Sequence, residues 1–162
     1  MPVLYKGREW LLAYFAGHNP PIDPSWLAPM GTAFQRAVWD IVLRIPYGRL
    51  ASYGDIAQGY CARTGTKGHF ARAVGGAIHN NPLPIIIPCH RVVAQTGLGG
   101  YGLGLPKKRA LLHLEGIEEK SLAAHRLSKT DTASLLCTNQ FPHPIKGCGL
   151  EEMTRQVDAL GY

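Results

Sequence analysis

The chain has 162 residues, of which 46% are hydrophobic, and a formal net charge of +6. That length supports one domain with a packed core. No apolar run approaches the ~20 residues needed to span a bilayer, and the first residues lack the pattern of a secretory signal. A cytoplasmic protein without membrane contact is expected, nucleoid-associated if bacterial. The four cysteines, Cys61, Cys89, Cys137 and Cys148, are scattered without a C-x-x-C pair, which argues against a disulfide framework and for free thiols.

In chain order, a short helical stretch around Trp10–Phe15 leads into a Pro-rich connector, Asn19 to Pro24. Thr32-Ala33-Phe34-Gln35 has the form of a capping box. Behind it Phe34, Val38, Ile41, Val42 and Ile45 recur at helical spacing until Pro46 and Gly48 end the helix. A second helix is expected from an N-cap at Ser52, and a third over about His69 to His79 after a Gly-rich loop. The apolar run Leu83 to Pro88 reads as a buried extended segment. Gly97 to Gly104 is a glycine-rich loop that fits no phosphate or dinucleotide fingerprint and reads as backbone close to a ligand. Lys107 to Glu115 predicts an amphipathic helix offering Leu111, Leu112 and Leu114 to the core. The predicted fold class is thus mainly α, with a short buried extended segment.

Charge is concentrated in the middle. From residue 32 to 116 there are ten Lys/Arg against three Asp/Glu, a balance of +7. Residues 1–31 carry two of each, and residues 117–162 carry five basic against six acidic, a balance of −1. A positive field confined to one segment points to a polyanionic partner such as nucleic acid. Two short helices joined by a loop, the second carrying Arg72, fit a helix-turn-helix, although any small helical bundle has a similar pattern.

Cys89 is the candidate nucleophile. A thiol reacts as thiolate, and a neighbouring imidazole eases its formation. His90 is adjacent, Arg91 follows, and the glycine-rich loop lies just downstream. A Cys-His dipeptide alone is a poor signal; its place at the end of a rigid apolar segment is what raises it.

Pro88-Cys89-His90-Arg91-Val92 matches the signature of the O6-alkylguanine-DNA alkyltransferases (methylated-DNA–protein-cysteine methyltransferases). The resemblance covers about residues 32–116 and extends through Ile45-Pro46-Tyr47-Gly48, Ser52-Tyr53, Ala71 to Ala77, Asn80-Asn81-Pro82, Gly100-Tyr101 and Lys108 to Gly116, in family order. It implies a winged-helix-like, helix-turn-helix domain that enters the minor groove of double-stranded DNA, flips out an O6-alkylguanine and takes its alkyl group irreversibly onto Cys89. No cofactor or metal is implied, and a monomer is expected.

The resemblance also implies roles for individual residues. His90 would deprotonate Cys89 through a water, Glu115 would orient that histidine, and Asn81 would hold the hinge before the active-site segment. Arg72 would fill the space left by the flipped base. Tyr53 would crowd the 3′ phosphate. Tyr101, the backbone of Gly102, and the carbonyls of Cys89 and Val92 would face the guanine, and Lys108 would lie near the pocket.

The chain departs from the family in three places. Residues 1–31 resemble only the end of the family's N-terminal α/β domain, and the loop between Tyr53 and Arg72 is longer than in the shorter family versions. Residues 117–162 have no counterpart. His125, Cys137, His143 and Cys148 match no compact zinc finger. Leu150, Met153, Val157 and Leu160 recur at helical spacing, so residues 151–160 are expected to form a helix packing on the core. Rival functions are a damage-binding protein of the alkyltransferase-like kind, which would lack the cysteine, a helix-turn-helix transcriptional regulator, and, more distantly, a cysteine hydrolase.

Overall fold

The computed structural model describes residues 2–138. The expected helix over 151–160, and with it His143 and Cys148, lie outside the described residues. Among the described residues seven α-helices carry most of the fold: α1 (Val3–Phe15), α2 (Ala33–Val42), α3 (Tyr53–Thr64), α4 (Ala71–His79), α5 (Leu105–Leu114), α6 (Leu122–His125) and α7 (Lys129–Asp131). None of the described helices is long and apolar enough to cross a membrane.

Helix starts follow from local chemistry. At α2 the Thr32 hydroxyl accepts from Gln35 N–H, and the Gln35 side chain accepts from Thr32 N–H, so two orphan amides are satisfied reciprocally. Ser52 and Asp55 do the same for α3. Helix α5 begins two residues earlier than its charge pattern predicts, at Leu105, because Pro106 suits a first helical turn.

Helices α2, α3 and α4 pack on one another around Val38, Trp39, Ile41, Ile56, Tyr60 and Val74, all essentially without solvent exposure. Trp39 Nε1–H donates to the Ala77 carbonyl at 2.8 Å, tying α2 to α4. Phe34, Tyr60 and Phe70 form an edge-to-face aromatic cluster, with Tyr60–Phe34 centroids 4.9 Å apart and Tyr60–Phe70 centroids 5.2 Å apart. Helix α1 stands apart from this core. It buries Trp10 and Tyr14, one turn apart, in a second cluster with Leu111 of α5.

The extended structure lies elsewhere than the sequence indicates. Leu83 to Pro88 is a tight turn: Ile87 N–H donates to Leu83 O at 2.9 Å, and Ile85 sits at φ 76°. Leu83 to Ile86 are only half-buried. Pro84 and Pro88 restrict the chain, and the Asn81 side chain accepts from Leu83 N–H, which favours a turn over a strand. The sheet is instead a two-residue parallel pair, β1 (Ala51–Ser52) beside β2 (Val92–Val93), with Ala51 opposite Val92 and Ser52 opposite Val93. β1 runs directly into α3, and β2 follows the cysteine, so this pair fixes the Cys89 segment against the start of α3.

Residues 117–138 pack on the same body. Ile117, Leu122, Leu127 and Leu136 are buried. Leu50 N–H donates to His125 O, and Leu127 N–H to Leu50 O, at 2.9 and 2.8 Å. Helix α3 accommodates this segment at Gly59, where an added Cβ would stand 2.8 Å from the Leu136 carbonyl oxygen.

Candidate active site

Cys89 opens a single 3-10 turn, Cys89–Arg91, between the Leu83–Pro88 turn and β2. Its side chain is buried, and Asn81 Nδ2 donates to Sγ at 3.1 Å. The same amide nitrogen donates to Ile87 O at 2.9 Å, while Asn81 Oδ1 accepts from Leu83 N–H. One side chain just past the end of α4 therefore holds both the turn and the thiol. Burial pushes the thiol pKa up, against the opposing pull of the Asn81 amide, the Tyr101 hydroxyl and the Lys108 charge. The resting group is therefore a thiol.

The next residue in the chain is an imidazole. His90 is fully buried, and its Nε2 lies 2.7 Å from Glu115 Oε1. A carboxylate partner assigns the proton to Nε2 and leaves Nδ1 with its lone pair. Nδ1 has no hydrogen-bond partner among the described residues. Burial lowers the histidine pKa more than Glu115 raises it, so the imidazole is neutral and able to accept a proton.

Glu115 caps the C-terminus of α5 and collects donors from four residues in three parts of the chain. Tyr14 Oη–H of α1 donates to Oε1 at 2.7 Å, and Gly48 N–H donates to Oε2 at 3.0 Å. Arg91 donates from Nε and Nη2, at 3.0 Å to Oε2 and 2.9 Å to Oε1. Arg91 also donates to Ile45 O at 2.8 Å. Burial alone would raise the carboxyl pKa; the hydrogen bonds from His90 and Arg91 outweigh it and hold the value at about 2.

Lys108 is equally enclosed. Its ammonium donates to the carbonyls of Val92, Leu98 and Gly100 at 2.7, 2.6 and 3.0 Å, tying β2 to the first half of the glycine-rich loop. Burial lowers its pKa to about 8, with the neighbouring Cys89 acting in the opposite sense. Part of that loop's glycine content is a backbone demand. Gly99 sits at φ 71°, and a Cβ there would meet Ala94 N at 3.0 Å and the Tyr53 ring at 3.2 Å.

Of the residues singled out by sequence, the fold brings Cys89, His90, Asn81, Glu115, Tyr101 and Lys108 into one neighbourhood. A cavity of about 110 Å³ reaches Cys89 between Asn81, Pro84, Tyr101 and Gly102. A wider one of about 360 Å³ lies beside it, lined by Tyr53, Gly75, His79, Tyr101 and Gly102. Tyr53 is half-buried and points its hydroxyl toward Gly100 O at 3.5 Å. Val92 is buried, and its carbonyl already accepts from Lys108. Arg72 is the outlier: it is exposed on the first turn of α4. Among the described residues no cluster of three or more His, Cys, Asp or Glu side chains is placed to hold a metal.

Sequence reasoning missed two members of the network. Arg91 carried no role beyond its position in the signature, and Tyr14 carried none. Pairing Tyr14 with Glu115 joins residues 101 positions apart, which no local pattern reveals.

A helical domain with a buried thiol, and next to it in the chain a neutral imidazole bonded to an ionised carboxylate, has the parts of a cysteine-nucleophile protein. Residues 33–117 match the family model for the 6-O-methylguanine DNA methyltransferase DNA-binding domain. The chain belongs to this family. It is 51% identical over 116 residues to the methylated-DNA–protein-cysteine methyltransferase of Mycobacterium tuberculosis, covering 70% of this chain and 67% of that protein. It is 47% identical over 112 residues to the protein of the same name from Methanosarcina acetivorans, covering 68% of each. Among solved structures, Mycobacterium tuberculosis OGT in complex with DNA superimposes with a TM-score of 0.59 at 48% identity, over 67% of this chain and 65% of that one. The chain thus spans about two thirds of the length of these relatives.

Proposed function

We propose that this chain repairs alkylated DNA by a single, irreversible transfer of the O6-alkyl group of guanine to Cys89. The observation that carries this reading is two hydrogen-bonded pairs on consecutive residues, Asn81–Cys89 and His90–Glu115, which set a protonated thiol next in the chain to a histidine that is neutral and oriented. In the reaction the Cys89 proton passes through a bridging water to His90 Nδ1. The thiolate attacks the alkyl carbon, an S–C bond forms, and the C–O6 bond breaks. The electron pair leaves with guanine, which takes up one proton, and the thioether ends the protein's working life.

The guanine must leave the base stack for this to happen. The cavity at Cys89 and its wider neighbour provide the receiving space, with Tyr101 and the backbone of Gly102 on the walls. Helices α3 and α4, joined by residues 65–70, act as a helix-turn-helix on double-stranded DNA. Helix α4 lies in the minor groove, exposed Arg72 takes the place of the extruded base, and Tyr53 crowds the adjoining 3′ phosphate. The protein acts as a monomer in the cytoplasm, and residues 32–116 form its catalytic domain.

The test is intact-mass measurement after incubation with duplex DNA carrying O6-methylguanine. A methyl-sized increment on Cys89, abolished in Cys89→Ala, is the expected result. Tight binding with no mass change would sink the transfer reading in favour of damage binding, and indifference to the O6-methylguanine lesion would favour a regulator.

A further inference from the structure

We propose that Tyr14 of α1 is a positioning residue of the transfer reaction, holding Glu115 and through it the proton-accepting tautomer of His90. This rests on the alkyl-transfer reading above. Helix α1 lies outside the 33–117 stretch matched by the family model. Yet its Tyr14 side chain has no solvent exposure and places Oη 2.7 Å from Glu115 Oε1 and 3.3 Å from His90 Nε2. The ring is set by its surroundings: Trp10 stacks on it at 5.5 Å, and Tyr47 and His90 meet it edge-on at 6.2 and 6.3 Å.

The hydrogen-bond inventory gives this contact its direction. Glu115 is ionised and only accepts; Tyr14, pushed above the ordinary phenol range by burial and by the Glu115 charge, keeps its proton and donates. His90 Nε2–H donates to the same oxygen. Tyr14 and His90 converge on Oε1, which Arg91 also bonds, and together they fix the carboxylate plane and therefore the imidazole plane, leaving Nδ1 as the ring position able to accept the thiol proton. The groups facing His90 are Glu115, Arg91, Lys108 and Tyr14. Arg91 and Lys108 oppose protonation of the ring by charge, and Tyr14 opposes it by drawing charge from Glu115.

Tyr14→Phe removes only the hydroxyl. Expected is a fall of roughly tenfold in the transfer rate constant with unchanged DNA affinity. The rise of rate with pH moves to higher pH, because Glu115 then binds the imidazolium more strongly. Imidazole nitrogen NMR of His90, which needs no reaction, should show the Nε2–H form giving way to a mixture. Replacing Tyr14 by 3-fluorotyrosine keeps the ring and hydroxyl but strengthens the donor, so the pH rise should move the other way. A Tyr14→Phe protein that is slower or less stable but keeps the wild-type pH profile and His90 resonances would overturn the proposal, as would an unchanged rate. A wild-type protein that takes up no methyl group would overturn the transfer reading, while the His90 resonances would still decide the role of Tyr14.

Discussion

Glu115 is where structure and chemistry meet at the scale of one residue. Its carboxylate has no side-chain exposure and is balanced by Arg91 and by the donors of Tyr14, Gly48 and His90. A buried pair of this kind contributes little net stability against an apolar alternative, yet removing one partner strands the other and costs about 3–5 kcal/mol. Glu115→Gln therefore destabilises the protein on that scale, measured by urea unfolding. The pH dependence has a definite sign. The folded pKa of about 2 lies below the ordinary 4.5, so this contribution is present above 4.5 and is lost as pH falls through 4.5 toward 2. His90 adds an earlier stage. Its folded pKa is below the ordinary 6.5, the unfolded chain binds the extra proton, and stability falls as pH drops below 6.5. The urea midpoint should fall in two stages on acidification, and Glu115→Gln should abolish the lower one. A single stage unchanged by the substitution would refute this account.

At the scale of elements, the segment after α5 makes a specific demand. Ile117, Leu122, Leu127 and Leu136 are buried, and Leu136 sits on Gly59 of α3, where no larger residue fits without displacement. Burying one such side chain stabilises by about 1.5–3 kcal/mol before ordering entropy is counted. Truncation after Gly116 uncovers their neighbours Leu50, Val93 and Leu112, and should lower the melting temperature by at least about 5 °C. An unchanged melt would show the segment to be a passive appendage. The elements also show what sequence conveys. The starts of α2 and α3 were legible because a capping box is written within four residues. The Leu83–Pro88 run is a turn where its composition indicates an extended segment, because apolar composition cannot distinguish the two. The deciding interaction is the Asn81 side chain bonding Leu83 N–H and Ile87 O. The signature singles out Cys89 and His90 and the wider resemblance Glu115, whereas the Tyr14 contact and the Arg91 fork depend on packing between distant elements.

The whole molecule revises the meaning of its charge. The ten cations between residues 32 and 116 read in sequence as one positive field. Seven are engaged within the fold: Arg44 and Arg63 with buried Asp40, Arg49 with Asp131, Arg91 with Glu115, Arg109 with Glu119, Lys108 with three carbonyls, and Arg36 with Gly31 O. Lys67, Arg72 and Lys107 remain, exposed and without a salt bridge among the described residues. They lie in the loop between α3 and α4, on the first turn of α4 and on the first turn of α5. Each phosphate neutralised contributes roughly −0.9 to the slope of log K against log salt. Duplex binding through these three predicts a slope of about −3, well short of what the full +7 of this segment would give. Lys67→Ala should reduce the slope by roughly one, while Arg63→Ala should weaken folding through Asp40 and leave the slope unchanged. Fluorescence anisotropy across a salt series measures both. A slope of about −6 or steeper would mean that cations held inside the fold are released to meet the DNA, and this division of charge would be wrong.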